Sequence, residues 1–95
     1  LIYHTMNEIL YENRAIYYTY EKILSKGQFE LLRAISKEDN LTQPTSKDFI
    51  QNHKLSTPSS VKRALSSLLE KEMIFEDEGV YSVYDVFFSR YLESI

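Results

Sequence analysis

The sequence predicts a mainly α-helical domain with a minor β component. Apolar residues recur at spacings of three and four along most of the 95-residue chain, which is the period of a buried helix face. Helix start signals stand in the stretches "TSKD" and "STPSS", where a short hydroxyl residue precedes an apolar run. Near the C-terminus two short apolar runs flank "EDEG", a pattern typical of a β-hairpin.

The composition limits what the chain can be. It is 43% hydrophobic and 26% charged, as in an ordinary folded protein of one compact domain. The absence of Cys removes disulfides and thiol chemistry and fits the cytoplasm, which is the expected location. No apolar run approaches the roughly 18 residues of a membrane span, so no membrane contact is expected. Because the chain starts at Leu1 without a secretory signal, we interpret it as a fragment of a longer protein.

The first predicted helix covers residues 1–24, and Ser25 and Gly27 mark its end. Its apolar face consists of Ile2, Met6, Ile9, Leu10, Ile16, Tyr17, Tyr20, Ile23 and Leu24. Additional tyrosines broaden this face, so the helix is more apolar than a lone surface helix. Two interpretations stay open: the helix packs on its own domain, or it belongs to a preceding domain. A homodimer formed through this helix is a further expectation.

Two more helices are predicted over residues 28–38 and from Thr45 to about residue 53. The loop "KEDNLTQP" joins them and lets Leu41 enter the core. Asp48 stands three residues after Thr45 and is expected to reach back as in a capping box. The residues predicted to be buried here are Phe29, Leu31, Leu32, Ala34, Ile35, Phe49 and Ile50.

A fourth helix is predicted to begin after Thr57, with Pro58 in its first position, where no backbone donor is lost. Its apolar stripe is Val61, Leu65, Leu68 and Leu69. Two strands follow over residues 73–75 and 80–84, joined by a turn in which Gly79 takes a positive φ. A closing helix is predicted over residues 84–94. The residues expected to face inward from it are Val86, Phe87, Tyr91 and Leu92.

A tight helix-turn-helix followed by a hairpin is the arrangement of a winged helix-turn-helix domain. The predicted fold therefore has a three-helix core and a two-stranded wing, with an additional helix at each end of the chain.

Four segments resemble the C-terminal winged-helix domain of archaeal-type P-loop ATPases, which are AAA-related proteins. They are "KGQFELLRAIS", "PTSKDFI", "STPSSVKRALSSLLEKEMI" and "GVYSVYDVFFSRYL", and together they span about residues 25–93. The resemblance implies that residues 1–24 are the last helix of an ATPase lid and residues 25–95 the winged-helix domain. It also implies ATP and magnesium for the parent protein. This chain itself lacks a GxxxxGK stretch and has only two glycines, so no cofactor is expected on it.

No catalytic or metal-binding constellation is apparent in the sequence. His4 and His53 lie far apart and have no partners at ligand spacing, whereas a metal ion needs three or four converging ligands. The serines do not combine with His and Asp in a recognisable nucleophilic arrangement. We therefore expect a noncatalytic module.

The charge is unevenly distributed along the chain. The net charge is −3, but residues 25–71 hold eight Lys or Arg against five Asp or Glu, a net +3. Residues 72–95 hold one Arg against six acids, a net −5. Local charge governs a binding face, so the basic segment is a candidate for contact with nucleic acid.

The fourth helix is the predicted contact with double-stranded DNA. In a helix-turn-helix, the second helix enters the major groove with its N-terminal residues toward the bases. The candidate DNA-binding residues are Ser59, Ser60, Lys62, Arg63 and Ser66, with Lys47 and Lys54 on the flanking segment. Ser67 is also expected on this open side.

The alternative is a protein-interaction or regulatory module without intrinsic DNA binding. The face offers four or five cations, whereas nonspecific DNA binders usually make about 6–10 phosphate contacts. The "EDEG" wing is acidic and unsuited to gripping phosphate, and a fold alone does not define function.

Overall fold

The computed structural model describes residues 14–95, so the predicted helix face over residues 1–13 lies outside the described part. The helices are α1 (Arg14–Ile23), α2 (Lys26–Ser36), α3 (Lys47–Asn52), α4 (Pro58–Glu70) and α5 (Val86–Glu93), and the strands are β1 (Ile74–Asp77) and β2 (Val80–Val83). This order confirms the predicted winged helix-turn-helix fold. Among the helices of residues 14–95, none has the length and apolar character needed to cross a membrane.

The start of α2 is set by a capping box. Ser25 Oγ accepts from the backbone N–H of Gln28, and Gln28 Oε1 accepts from the backbone N–H of Ser25, both at 3.2 Å. This reciprocal pair satisfies two of the amides that a helix start leaves without partners. The helix therefore begins two residues before the predicted residue 28, and Gly27 lies in its first turn rather than in the break between helices.

The caps of α3 and α4 differ in how well the sequence predicted them. The N-cap of α3 is Ser46, whose Oγ accepts from Phe49 N at 3.2 Å, so the prediction of a Thr45–Asp48 capping box was wrong. Asp48 instead lies in the first turn of α3, where its charge favours the helix dipole. The prediction for α4 is confirmed, because Thr57 caps it and Pro58 is its first residue.

Both α3 and α4 end in a Schellman motif, a left-handed residue closed by a bond back to the last helical turn. Leu55 N donates to Ile50 O at 2.9 Å, and Met73 N donates to Leu68 O at 3.0 Å. The left-handed positions are Lys54 at φ 53° and Glu72 at φ 58°. The Lys54 motif forms the tight turn that leads from α3 toward α4.

The wing is an antiparallel hairpin with a two-residue turn. Ile74 pairs with Val83 at its base, and Asp77 pairs with Val80 next to the turn. Glu78 at φ 52° and Gly79 at φ 82° both have the positive φ of the turn type that matches strand twist, and the prediction for Gly79 is confirmed. Leu41 forms an isolated antiparallel bridge with β2, in which Tyr81 N donates to Leu41 O at 2.9 Å.

The core lies between α2, α4, α5 and the base of the wing. Its buried residues include Phe29, Leu31, Leu32, Ala34, Ile35, Leu41, Phe49, Ile50, Val61, Leu65, Leu68 and Leu92, all of which were predicted. The prediction for Val86 was wrong, since this side chain is 61% exposed and Phe88 is buried in its place. The reason is that Asp85 caps α5 by accepting from the amides of residues 87 and 88, which turns Phe88 and Leu92 inward.

Helix α1 packs on the domain through the aromatic side chains of Tyr17 and Tyr20 and through Leu24. Tyr17 is buried, with its ring 5.1 Å from Phe88 and 5.3 Å from Tyr91. Burial raises the pKa of the Tyr17 phenol, with smaller contributions from the charge of Asp85 and from Tyr20.

The prediction that Ile16 and Ile23 belong to the packed face of α1 was wrong. Ile16 and Ile23 are half or more exposed, because the helix contacts α5 along a narrow stripe rather than along its whole apolar side. The division into residues 1–24 and residues 25–95 stays a prediction.

Candidate nucleic-acid interface

The orientation of α4 separates a buried stripe from an open one. Val61, Leu65 and Leu68 are buried at the i, i+4, i+7 spacing of one helix face. The candidate DNA-binding residues on α4 are Ser59, Ser60, Lys62, Arg63 and Ser66, and all five are exposed. The inward stripe therefore leaves these side chains directed toward solvent from the N-terminal two thirds of the helix.

The first turn of α4 supplies hydrogen-bond donors. Thr57 Oγ1 accepts from Ser60 N at 3.2 Å and donates to Ser60 Oγ at 3.1 Å. Each hydroxyl can donate or accept in that contact, so one of the two protons stays available for an outside oxygen. Pro58 has no N–H, which leaves the amide of Ser59 as the remaining first-turn donor. Such donors suit phosphate oxygens.

Four exposed cations lie on α4 and on the preceding helix and turn. Lys62 and Arg63 lie on α4, Lys47 is the first residue of α3, and Lys54 occupies the turn after α3; all are exposed. Within residues 14–95, the one close contact between a basic side chain and a carboxylate joins His53 and Glu38, so none of the four cations is held by a described carboxylate.

A hydrogen bond between His53 and Glu38 fixes the end of α3. His53 Nε2 lies 2.7 Å from Glu38 Oε1, and the His53 ring is 4.9 Å from the ring of Phe49. These contacts tie the helix-turn-helix turn to the segment that follows α2. The sequence carries no signal for this pair, because its two residues are 15 positions apart and meet only in the folded chain.

Acidic residues limit the positive surface. Glu70 continues the open stripe of α4, seven positions after Arg63 and about 10 Å further along the helix. The wing carries Glu76, Asp77 and Glu78, all exposed. The N-terminal half of α4 is therefore the cationic part of the interface, and its C-terminal end and the wing are anionic.

Ser67 does not belong to the open side. Its hydroxyl accepts from Gln28 Nε2 at 3.0 Å, and Gln28 Oε1 also receives the ammonium of Lys71 at 3.5 Å. The prediction that Ser67 faces solvent was wrong, because this serine lies in the contact between α2 and α4. The spacing of Ser25 and Gln28 signals the cap in the sequence, although not the contact with α4.

The described residues do not fit the ATP and magnesium that the resemblance implies for a parent protein. Gly27 lies in α2 and Gly79 in the hairpin turn, so neither belongs to a loop that cradles phosphate. Across residues 14–95, no group of three or more His, Cys, Asp or Glu side chains could hold a metal ion.

The three-helix core, the wing and the open face of α4 define a winged-helix domain. A family model described as "Probable winged helix domain" matches residues 15–94, and the chain belongs to this family. Neither a curated protein nor a solved structure matches the chain.

Proposed function

We propose that this chain is a noncatalytic module that binds double-stranded DNA with α4 in the major groove. The observation that carries the proposal is the exposure of Lys62 and Arg63 on α4, opposite its buried stripe and without carboxylate partners among the described residues. Membership of the winged-helix family supports it, since the second helix of a helix-turn-helix is the one that enters the groove.

The side chains suit different parts of the duplex. Arg63 presents a planar fork that pairs with the O6 and N7 atoms of guanine or with phosphate. Lys62 acts as a point charge on phosphate. The first-turn donors of Ser59 and Ser60 suit phosphate oxygens, and Ser66 extends the same face toward the groove. Lys47 and Lys54 add backbone contacts on the α3 side in this proposal.

The number of cations on the candidate face determines the expected affinity for DNA and its salt dependence. With four cations, the slope of log K against log salt concentration is about −3.6, since each neutralised phosphate contributes about −0.9. Many nonspecific binders make about 6–10 such contacts. A single domain should therefore bind weakly at physiological salt, and tight binding would need a second domain or further contacts from a parent protein.

A charge-reversal experiment tests the proposal. Lys62→Glu combined with Arg63→Glu should abolish binding to a labelled random duplex in fluorescence anisotropy. The matched control is Lys22→Glu combined with Arg90→Glu, which changes the net charge equally at exposed positions on α1 and α5 and should weaken binding only slightly. Equal loss in both double variants would contradict a specific role for α4.

The parent protein is the second part of the proposal. The four segments that resemble archaeal-type P-loop ATPases support a C-terminal position in such an ATPase, with residues 1–24 as the last helix of its lid. ATP and magnesium would then be held by another domain. Sequencing the reading frame upstream of Leu1 tests this directly, because an intact frame without a GxxxxGK motif would contradict it.

A protein-contact module is the competing function, favoured by the exposed apolar side chains of α1. Ile16 and Tyr18 are each about half exposed, which also supports a homodimer through the N-terminal helix. Sedimentation velocity over a wide concentration range tests that dimer. A monomer at every concentration would contradict the homodimer.

A further inference from the structure

An apolar groove lies at the end of the domain away from the start of α4. Its volume is about 490 Å³. The walls come from the end of α1, the turn between α4 and β1, and the link between β2 and α5. The apolar lining consists of Tyr20, Ile23, Leu24, Met73, Tyr84 and Phe88. No proposed DNA-binding residue lines this groove.

Two large apolar side chains from different walls of the groove are largely exposed to solvent. Ile23 is 68% exposed and Tyr84 is 65% exposed. The Tyr84 ring meets the exposed Phe75 ring edge to face at 5.9 Å, which extends the apolar surface onto the wing. A contiguous apolar patch of this kind marks an interaction site, whereas scattered single side chains do not.

The surroundings of the groove are acidic. Glu72 and Asp85 lie on its rim, and the exposed acids of the wing, residues 76–78, follow on β1 and its turn. The one cation of the lining, Lys71, directs its ammonium to Gln28 Oε1. The segment of residues 72–95 has a net charge of −5 from one Arg and six acids. Charge complementarity therefore favours a basic occupant.

The same charge argues against other occupants. A second copy seated on this groove in a two-fold contact would bring two acidic rims together, and like charges that face each other across an interface repel. DNA phosphates and anionic lipid headgroups would meet the same repulsion.

We infer that the groove binds a segment of a partner protein that carries an aliphatic or aromatic anchor flanked by Lys or Arg. The anchor packs between Ile23 and Tyr84, and the flanking cations face the acidic rim and wing. The groove and Ser59 lie at opposite ends of the 13-residue α4, which is about 20 Å long. The partner segment and DNA can therefore occupy the domain together, and the inference does not depend on DNA binding.

Selection from a random peptide library tests the inference. The 95-residue chain is immobilised, a display library of random 12-residue peptides is panned against it, and the selected peptides are synthesised and titrated by fluorescence anisotropy. We expect the selected peptides to share an aliphatic or aromatic anchor with neighbouring Lys or Arg. Their affinity should fall at least tenfold for Ile23→Ser combined with Tyr84→Ser, and should not change for Val86→Ser, an exposed apolar residue outside the groove.

Three outcomes would overturn the inference. The first is selection of no peptide, or of peptides with acidic flanks. The second is binding that is equally strong in the Ile23→Ser, Tyr84→Ser variant. The third is a dimer of the chain that dissociates in that variant, which would assign the groove to a second copy. A chain that fails to bind DNA but still selects basic, apolar peptides leaves the inference intact.

Discussion

The side-chain amide of Gln28 donates to the Ser67 hydroxyl at 3.0 Å and joins the first turn of α2 to the last turn of α4. The other end of the same amide accepts from Ser25 N. One side chain therefore caps α2 and holds α4 against it. Ser67 follows Ser60 by seven positions and Arg63 by four, so α2 holds α4 at the C-terminal end of the side that carries these two candidate residues.

A double-mutant cycle measures this contact. Gln28→Ala should lower the free energy of unfolding by about 1–2 kcal/mol, because it removes a cap and an interhelical hydrogen bond. Ser67→Ala should cost less, about 0.5–1.5 kcal/mol, because it removes only the interhelical bond. Urea denaturation of the two single variants and the double variant gives the coupling energy, expected at about 0.5–1.5 kcal/mol. Simple additivity would contradict the contact.

The same substitution at two adjacent positions of α4 should affect different properties, stability at Leu65 and DNA binding at Ser66. Leu65→Asp places an unpaired charge in the core, which should unfold the domain or cost several kcal/mol. Ser66→Asp lies on the open face and should change stability by less than about 0.5 kcal/mol, while its negative charge weakens DNA binding. Circular dichroism melting and anisotropy measure the two effects. A folded Leu65→Asp variant would mean that α4 is rotated from the orientation described.

Glycine at the left-handed position after α4 should stabilise the domain. Glu72 adopts φ 58°, a conformation that costs a non-glycine residue roughly 1–2 kcal/mol. Part of that gain is offset by the greater freedom of glycine in the unfolded chain, so Glu72→Gly should raise the free energy of unfolding by about 0.5–1 kcal/mol. Lys62→Gly, in the interior of α4, should lower it by about the same amount. Urea midpoints compare the two, and equal destabilisation would refute the strain argument.

The buried phenol of Tyr17 should make the domain sensitive to alkali. Burial raises the pKa of this group above the ordinary value, which is about 10. The folded state therefore favours the neutral phenol, so this contribution is complete below pH of about 10 and is lost as the pH rises further. Tyr17→Phe should flatten the alkaline fall in the free energy of unfolding. An unchanged fall in that variant would assign the effect to other groups.

The elements that the sequence predicted best are those whose local signals agree. Thr57, Pro58 and the apolar stripe from Val61 to Leu69 define α4 without help from the rest of the fold. The start of α3 was harder, since Thr45 and Ser46 are both good caps and only packing selects between them. In α5, three apolar residues in a row do not show which side of the helix faces the core. The cap by Asp85 determines that orientation.

The candidate site was predictable in part for the same reason. The exposure of Lys62 and Arg63 follows from the helical period once Val61 and Leu65 face inward. The acidic end of the open stripe at Glu70 follows from the same helical period. The groove beside Ile23 could not be foreseen, because it forms where α1, the end of α4 and the link before α5 meet in space.

The salt dependence of DNA binding tests the central claim most directly. Anisotropy titrations of the 95-residue chain with a random duplex should give a slope of log K against log salt concentration of about −3.6. Replacing Lys62 and Arg63 by Ala should make the slope shallower by about 2, because two phosphate contacts are lost. No binding at low salt, or a slope that the double variant leaves unchanged, would contradict the claim that α4 binds DNA.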